Sequence, residues 1–255
     1  MTDAQDHKLA RELAGEIAAT FRTPRFHLEL NRERDESLRM LQTDPVLEKS
    51  RLIAISRDEQ YGHGLKHLEK VATDAGVIVQ RECEQNGSSP RQTRRSLFLV
   101  LLASLLHDIQ RRVADHAQKS AEAAAEILAD FPLEDCEREW VVVSIRNHEA
   151  FVEPTPAGCP EGQLLSDALY DADKFRWGAD NFTDTLWDMI TPEDTPMRVL
   201  LAHFPKGIEG IEKISSTFRS RTGVEYGPEF IEIGLEIGWK LYEELMKRFP
   251  PDKDS

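Results

Sequence analysis

The chain has 255 residues, with 46 acidic against 32 basic side chains and a formal charge of −14. That length suffices for a sizeable buried core, and 40% apolar with 31% charged residues is the balance of a soluble globular protein. The acidic excess excludes broad nucleic-acid coating and adhesion to an anionic membrane, since neither finds a net basic surface here.

Almost every patterned segment has the helical period. Asp6 to Phe21 carries Leu9, Leu13, Ile17 and Phe21 at four-residue steps. A second amphipathic run covers Pro45 to Ile55, with Pro45 suited to a first helical turn. His63 to Val79 follows, and then a hydrophilic stretch from Glu82 to Gln92 that reads as a loop, punctuated by Asn86-Gly87 and Pro90. Arg94 to Leu106 is apolar on nearly all sides beyond its first turn and is expected to be a central buried helix. Asp115 to Ala129 opens with Asp115 as a candidate N-cap and Gln118 three residues on, a capping-box-like pair.

Leu133 to Glu149 and Leu164 to Phe175 are the next helices, separated by a Pro- and Gly-rich loop, FVEPTPAGCPEGQ. Beyond Trp177, helices are expected at Asn181 to Met189, Pro196 to His203, Gly207 to Phe218 and Pro228 to Phe249. No hairpin or alternating strand pattern occurs. The expected fold class is all-α, a helical bundle in one structural domain. Its parts are an N-terminal helical extension over 1–60, a core over 61–180 and a packed C-terminal helical layer over 181–255.

The longest strongly apolar stretch, Leu97 to Leu106, is about half the ~20 residues that span a bilayer. The N-terminus lacks the apolar core of a signal peptide, and Cys83, Cys136 and Cys159 are too dispersed for a thiolate metal site or a disulfide framework. A cytoplasmic chain without membrane attachment is expected. Nothing in the sequence sets the oligomeric state.

The histidines carry the chemical signal. His107-Asp108 closes the buried apolar helix, where a carboxylate is costly unless paired or metal-bound. His67 lies in a helical stretch whose Leu68, Val71 and Ala72 can face the core, and His116 opens the Ala-rich helix. His148 ends the Trp140 to Ile145 apolar run, and Asp173 falls where another such run turns polar. Nitrogen and oxygen donors at converging helix ends are what a carboxylate-imidazole metal site in a bundle requires.

These residues, in this order, resemble the HD-domain superfamily of metal-dependent phosphohydrolases. HLEKV at His67 is similar to the family's first histidine segment, His107-Asp108 to the pair that names it, and DADKF at Asp173 to its closing aspartate. His116 and His148 match the two extra histidines of the binuclear subgroup. The likeness spans about Gly62 to Trp177. It implies one divalent transition ion (Fe, Mn or similar) held by His67, His107, Asp108 and Asp173. A second would be held by His116 and His148 with Asp108 shared. Because His116 is only eight residues after Asp108, it is read either as a ligand of that second ion or as a cap beside a mononuclear site. Asp171, two residues before Asp173, is the alternative closing ligand.

The same resemblance implies hydrolysis of a small anionic phosphate ester or nucleotide, with Asp108 central to catalysis. Arg111 and Lys174, three and one residues from expected ligands, are the candidate phosphate clamps, each read alternatively as a salt-bridge partner. His63, four residues before His67, is a candidate substrate contact or else an exposed histidine, and Lys70 and Lys119 are weaker candidates for substrate binding. The ligand set is shared with HD-fold mixed-valence di-iron oxygenases, and a non-catalytic, metal-stabilised sensor or scaffold is a third reading. Phe175 to Phe182, FRWGADNF, reads as a helical corner packed by Trp177, and His7, His27 and His203 as surface or packing residues. Two divalent ions against two carboxylates would leave a local charge of about +2, enough to attract a phosphate despite the distant surface acidity.

Overall fold

The computed structural model describes residues 3–57 and 64–250; His63 therefore lies outside the described residues. Among them the regular structure is helical throughout, with no strand. By contacts the chain divides into two compact units, neither of them a contiguous segment.

The larger unit comprises Phe26–Lys174 and Phe218–Glu225. It opens with α2 (Arg25–Glu29), α3 (Asn31–Thr43), α4 (Pro45–Arg57), α5 (Gly64–Gln85) and α6 (Pro90–Leu106). α7 (His116–Leu128), α8 (Asp135–Arg146) and α9 (Pro160–Phe175) follow. α6 is the central rod: every residue from Leu97 to Leu106 is buried, with α4, α5 and α8 packed around it. Truncating a fully buried leucine such as Leu101 to Ala should cost about 2–5 kcal/mol. Gly76 lets α5 close on its neighbours, since a Cβ there would sit 2.5 Å from Ser37 Oγ and 2.8 Å from Leu97 Cδ1.

The chain breaks between α5 and α6 more sharply than the Glu82 to Gln92 loop expected from the sequence. α5 runs on to Gln85, and Pro90 starts α6 instead of interrupting the chain. Ser89 caps α6 in a capping box: its backbone N–H donates to Gln92 Oε1 at 3.0 Å, and its Oγ accepts from Gln92 N at 3.4 Å. The capping pair expected at Asp115 and Gln118 does not form. Asp115 takes a left-handed φ of 56° with no side-chain cap bond, and Gln118 donates to Glu122 instead. A second capping box joins Glu134 and Glu137 ahead of α8.

The other unit comprises Met1–Arg25, Phe175–Thr217 and Tyr226–Ser255. It contains α1 (Asp3–Ala18), a π-helical turn at Asn181–Thr185, α10 (Leu186–Ile190) and α11 (Met197–Ile214). It also holds most of α12 (Arg221–Arg248). Arg11 fastens α1 to the π turn and α10, donating to Asp184 at 3.1 Å and Asp188 at 2.6 Å. His7 is a packing residue, buried and bonded through Nε2 to Thr195 O at 2.7 Å. The corner after α9 contains a half-buried Trp177, while Trp187 is the fully buried indole of this unit. The two segments expected at Pro196 to His203 and Gly207 to Phe218 form one helix. The buried stripe Leu200, Leu201, Phe204, Ile208, Ile211 and Ile214 runs through Pro205 and Gly207 unbroken, and packing overrides the local breakers.

No helix among the described residues is long and apolar enough to cross a membrane.

Candidate metal centre

Six side chains from five places in the sequence meet in the larger unit. His67 projects from the start of α5, and His107 and Asp108 follow the last residue of α6. His116 is the first residue of α7, His148 lies two residues beyond α8, and Asp173 is in the last turn of α9. Burial varies among them: the side chains of His107, His148 and Asp108 are 0%, 2% and 5% exposed, those of Asp173 and His67 9% and 16%, and that of His116 25%.

Asp108 stands between two groups. Its Oδ2 is 3.7 Å from His67 Nε2 and 3.5 Å from His107 Nε2, while Oδ1 is 3.4 Å from His148 Nε2 and 3.8 Å from His116 Nε2. On the first side Asp173 Oδ1 joins, 3.4 Å from His67 Nε2 and 3.8 Å from His107 Nε2. The imidazoles approach in pairs, Nε2 to Nε2, at 3.4 Å for His67 and His107 and 3.2 Å for His116 and His148.

Helix ends set the tautomers. His107 Nδ1 lies 2.7 Å from Ser104 O and His148 Nδ1 lies 2.6 Å from Ile145 O, in each case the carbonyl three residues back. A carbonyl only accepts, so both Nδ1 atoms carry a proton, and each ring in its neutral form turns an Nε2 lone pair inward. Lone pairs directed at one another and at carboxylate oxygens repel unless a proton or a cation lies between them. Asp108 Oδ1 is itself buried with no hydrogen-bond partner. Four imidazoles and two carboxylates, one of them with an orphaned oxygen, are a donor set that fits a divalent metal; His67, His107 and Asp173, and likewise His107, Asp108 and His148, bring ligand atoms within 4.8 Å of one another.

The electrostatics agree. Burial works to raise both carboxyl groups, but the outcome is the reverse. The charges of His107 and Arg111 hold Asp108 well below the usual carboxylate range, and Lys174, His107 and His67 do the same for Asp173. Burial lowers His67 and His116, which keeps them neutral and able to donate a lone pair. At His107 burial is outweighed by Asp108 and Asp173, which raise it: the cavity attracts positive charge where the two carboxylates converge.

Several neighbours hold this arrangement. Asn147 donates to Thr155 O at 2.8 Å and Ser166 Oγ at 3.0 Å and accepts from Thr155 N at 2.9 Å, which fixes the chain leaving α8 beside His148. Gln110 N donates to Ser120 Oγ at 3.1 Å and ties the turn after Asp108 to α7. Neither was marked by any motif. Asp115 and Phe151, both with left-handed φ, flank His116 and His148; such backbone is costly for residues other than glycine and concentrates at functional sites.

The other expected site residues stand as follows. Arg111 donates from Nη1 to Asp108 Oδ2 at 2.6 Å, and Lys174 from Nζ to Asp173 Oδ2 at 2.6 Å, so both cations meet ligand-like carboxylates. Lys119 is exposed and donates to Glu122 Oε2 at 2.8 Å, and Lys70 is half-buried on α5, one turn from His67. Asp171 does not join the cluster: it accepts from the backbone N–H groups of Arg219 and Ser220 at 2.9 and 2.8 Å and from Ser220 Oγ at 2.7 Å. His27 Nε2 is 3.2 Å from Asp74 Oδ1, and the exposed His203 bonds through Nδ1 to Val199 O.

No family model and no curated protein matches the chain. Among solved structures, the chain is similar to the crystal structure of a predicted HD superfamily hydrolase from an uncultured Thermotogales bacterium. The two are 20% identical with a TM-score of 0.48, over 83% of this chain and 97% of that one.

Proposed function

We propose that this chain is a metal-dependent phosphohydrolase that cleaves a small phosphate ester or nucleotide. The observation that carries the reading is the division of Asp108, whose two oxygens serve two imidazole pairs with inward-facing Nε2 atoms while Oδ1 has no donor of its own. His67, His107, Asp108 and Asp173 would hold one ion, and His116 and His148 a second with Asp108 shared. Divalent ions there would supply the Lewis acidity that lowers the pKa of water and neutralises charge on a phosphate ester.

The remaining work falls to the protein's own residues. Nδ1–H bonds to Ser104 and Ile145 keep His107 and His148 oriented, so the site needs little reorganisation to receive a cation. Arg111 and Lys174 compensate Asp108 and Asp173, which lets two carboxylates stay ionised in a buried place. The Arg111 side chain is 41% exposed and its guanidinium has N–H groups beyond the one given to Asp108, and these would be available to clamp a phosphoryl oxygen.

The test is a phosphatase and phosphodiesterase panel with Mn²⁺, run beside elemental analysis of protein purified without chelator. One or two transition ions per chain and hydrolysis of at least one ester are expected. In Asp108→Ala both metal content and turnover should be lost, and unchanged metal content in that variant would refute the sharing of Asp108. Oxygen uptake on an organic substrate with no ester hydrolysis would replace the hydrolase by the oxygenase. A normally folded, metal-free protein would remove both.

A further inference from the structure

His148 lies two residues beyond α8, so the helical ladder does not carry it. Its own N–H reaches Ile145 O at 3.4 Å, a long bond, and its Nδ1–H bond to the same carbonyl fixes how the ring turns more than where the backbone stands. What places the ring is the peptide that joins it to Asn147. Asn147 uses every one of its polar groups to hold that peptide. Its N–H donates to Val143 O at 3.0 Å, its side chain is tied to Thr155 and Ser166, and its carbonyl accepts from Arg219 Nη1 at 3.0 Å. The last of these partners comes from 72 residues further along the chain.

Arg219 is itself fixed at both ends. Its backbone N–H donates to Asp171 Oδ1 at 2.9 Å, and its guanidinium carbon lies over the ring of Tyr170, a buried residue of α9, 3.5 Å from the centroid. There the negative face of the ring attracts the cation and keeps its N–H groups aimed. Burial lowers the pKa of Arg219 against the opposing charges of Asp167 and Asp171, so holding a cation in this place is costly. The direction of Nη1 is thus set by the fold and not by a free side chain. Metal ligands have to stand within about 0.5 Å of their productive positions, and the groups that hold them from behind change metal affinity by about 10- to 100-fold.

We infer that Arg219 is a positioning residue of the metal centre, acting through the Asn147 carbonyl to hold His148 where it can share an ion with its neighbours. A guanidinium has no lone pair to offer a cation, so its part is played through the peptide and not as a ligand. The inference rests on the reading that His148 ligates a metal ion and is independent of the substrate.

The experiment is equilibrium dialysis of the full-length chain in buffers of graded free Mn²⁺, with bound Mn²⁺ read by elemental analysis. Arg219→Met keeps the stem against Tyr170 but has no N–H to give, and the Mn²⁺ concentration that half-fills the site containing His148 should rise by at least about 10-fold. Arg219→Lys restores a donor without the planar stack, and the rise should shrink to about 3-fold. Thr222→Val is the control: it removes the hydroxyl that donates to Glu82 from the same segment. It should lower the melting temperature and leave Mn²⁺ binding within about 2-fold of wild type. Unchanged binding in Arg219→Met, or an equal change in Arg219→Met and Thr222→Val, overturns the positioning and leaves the metal centre standing. If Arg219→Met lacks the helical circular dichroism of the wild type, Arg219→Gln takes its place with the same expected rise. A wild-type chain that binds no Mn²⁺ removes the metal centre itself, and the positioning with it.

Discussion

Two aspartates on α9 sit two residues apart, both buried, and have opposite fates. Asp173 faces His67 and His107 with Lys174 against its other oxygen, and these positive or proton-donating neighbours hold it well below the usual carboxylate range. Asp171 points the other way round the helix, into the turn that begins α12. Burial there outweighs the bonds from Ser220 and Arg219, and its pKa is pushed up to about 7. Burial is common to both; what differs is whether charged groups or only peptide and hydroxyl dipoles answer the carboxylate. One environment is built to gather cations, the other to close a turn.

Substitutions at the two positions should separate these roles. The largest effect is expected for Asp173→Asn, where turnover should fall by more than about 100-fold and metal analysis should show loss of the ion beside His67 and His107. If metal stoichiometry and activity survived, Asp173 would be no ligand and the contrast would fail. His116→Ala probes the far side of Asp108, which has no second carboxylate. It should lower metal content by one ion per chain and turnover by at least about 10-fold, while the ion near Asp173 remains. Full retention of two ions would reduce His116 to a helix-end residue.

The smallest effect belongs to Asp171→Asn, which should lower stability by about 1–2 kcal/mol and leave metal content intact. Its clearest mark is the pH dependence. A carboxyl group whose folded pKa is raised stabilises the fold fully below its unfolded value and loses that contribution as pH climbs toward the folded one. The wild-type melting temperature should therefore carry a component that declines between about pH 4 and pH 7, and this component should be missing in Asp171→Asn. Asp108 and Asp173 act with the opposite sign: their lowered values favour the fold above the ordinary carboxylate range and cease to do so as pH drops below it. An unchanged pH profile in the Asn variant would show that Asp171 titrates elsewhere.

The all-α class and the meeting of His67, His107, Asp108, His116, His148 and Asp173 were legible in the sequence. The helical period is a local property, and those histidines and aspartates lie at or near helix ends. The environment of Asp171 was not legible, since it depends on Arg219 and Ser220, which lie 48 and 49 residues further along the chain. Asn31–Thr43 escaped for a different reason: Arg, Glu and Asp dominate it, and only Ser37, Met40 and Leu41 are buried. Too little apolar surface remained to show a period. Arg219 stood in no motif, and only the fold brings it to Asn147.

The short segment Phe218–Glu225 has a practical meaning for anyone dividing this polypeptide. Glu82 Oε1 accepts from Thr222 N and Oγ1 at 2.8 and 2.7 Å, and Arg219 Nη1 donates to Asn147 O at 3.0 Å. Asp171 takes the bonds already described, and Gly223 passes so near it that a Cβ would fall 2.0 Å from Oδ2. A fragment that ends after the last histidine-facing helix would keep every proposed ligand, yet it would enclose the carboxylates of Glu82 and Asp171 stripped of these donors. Such a piece should express as an aggregating or loosely folded product. The minimal unit able to carry the centre has to include sequence more than forty residues beyond Asp173.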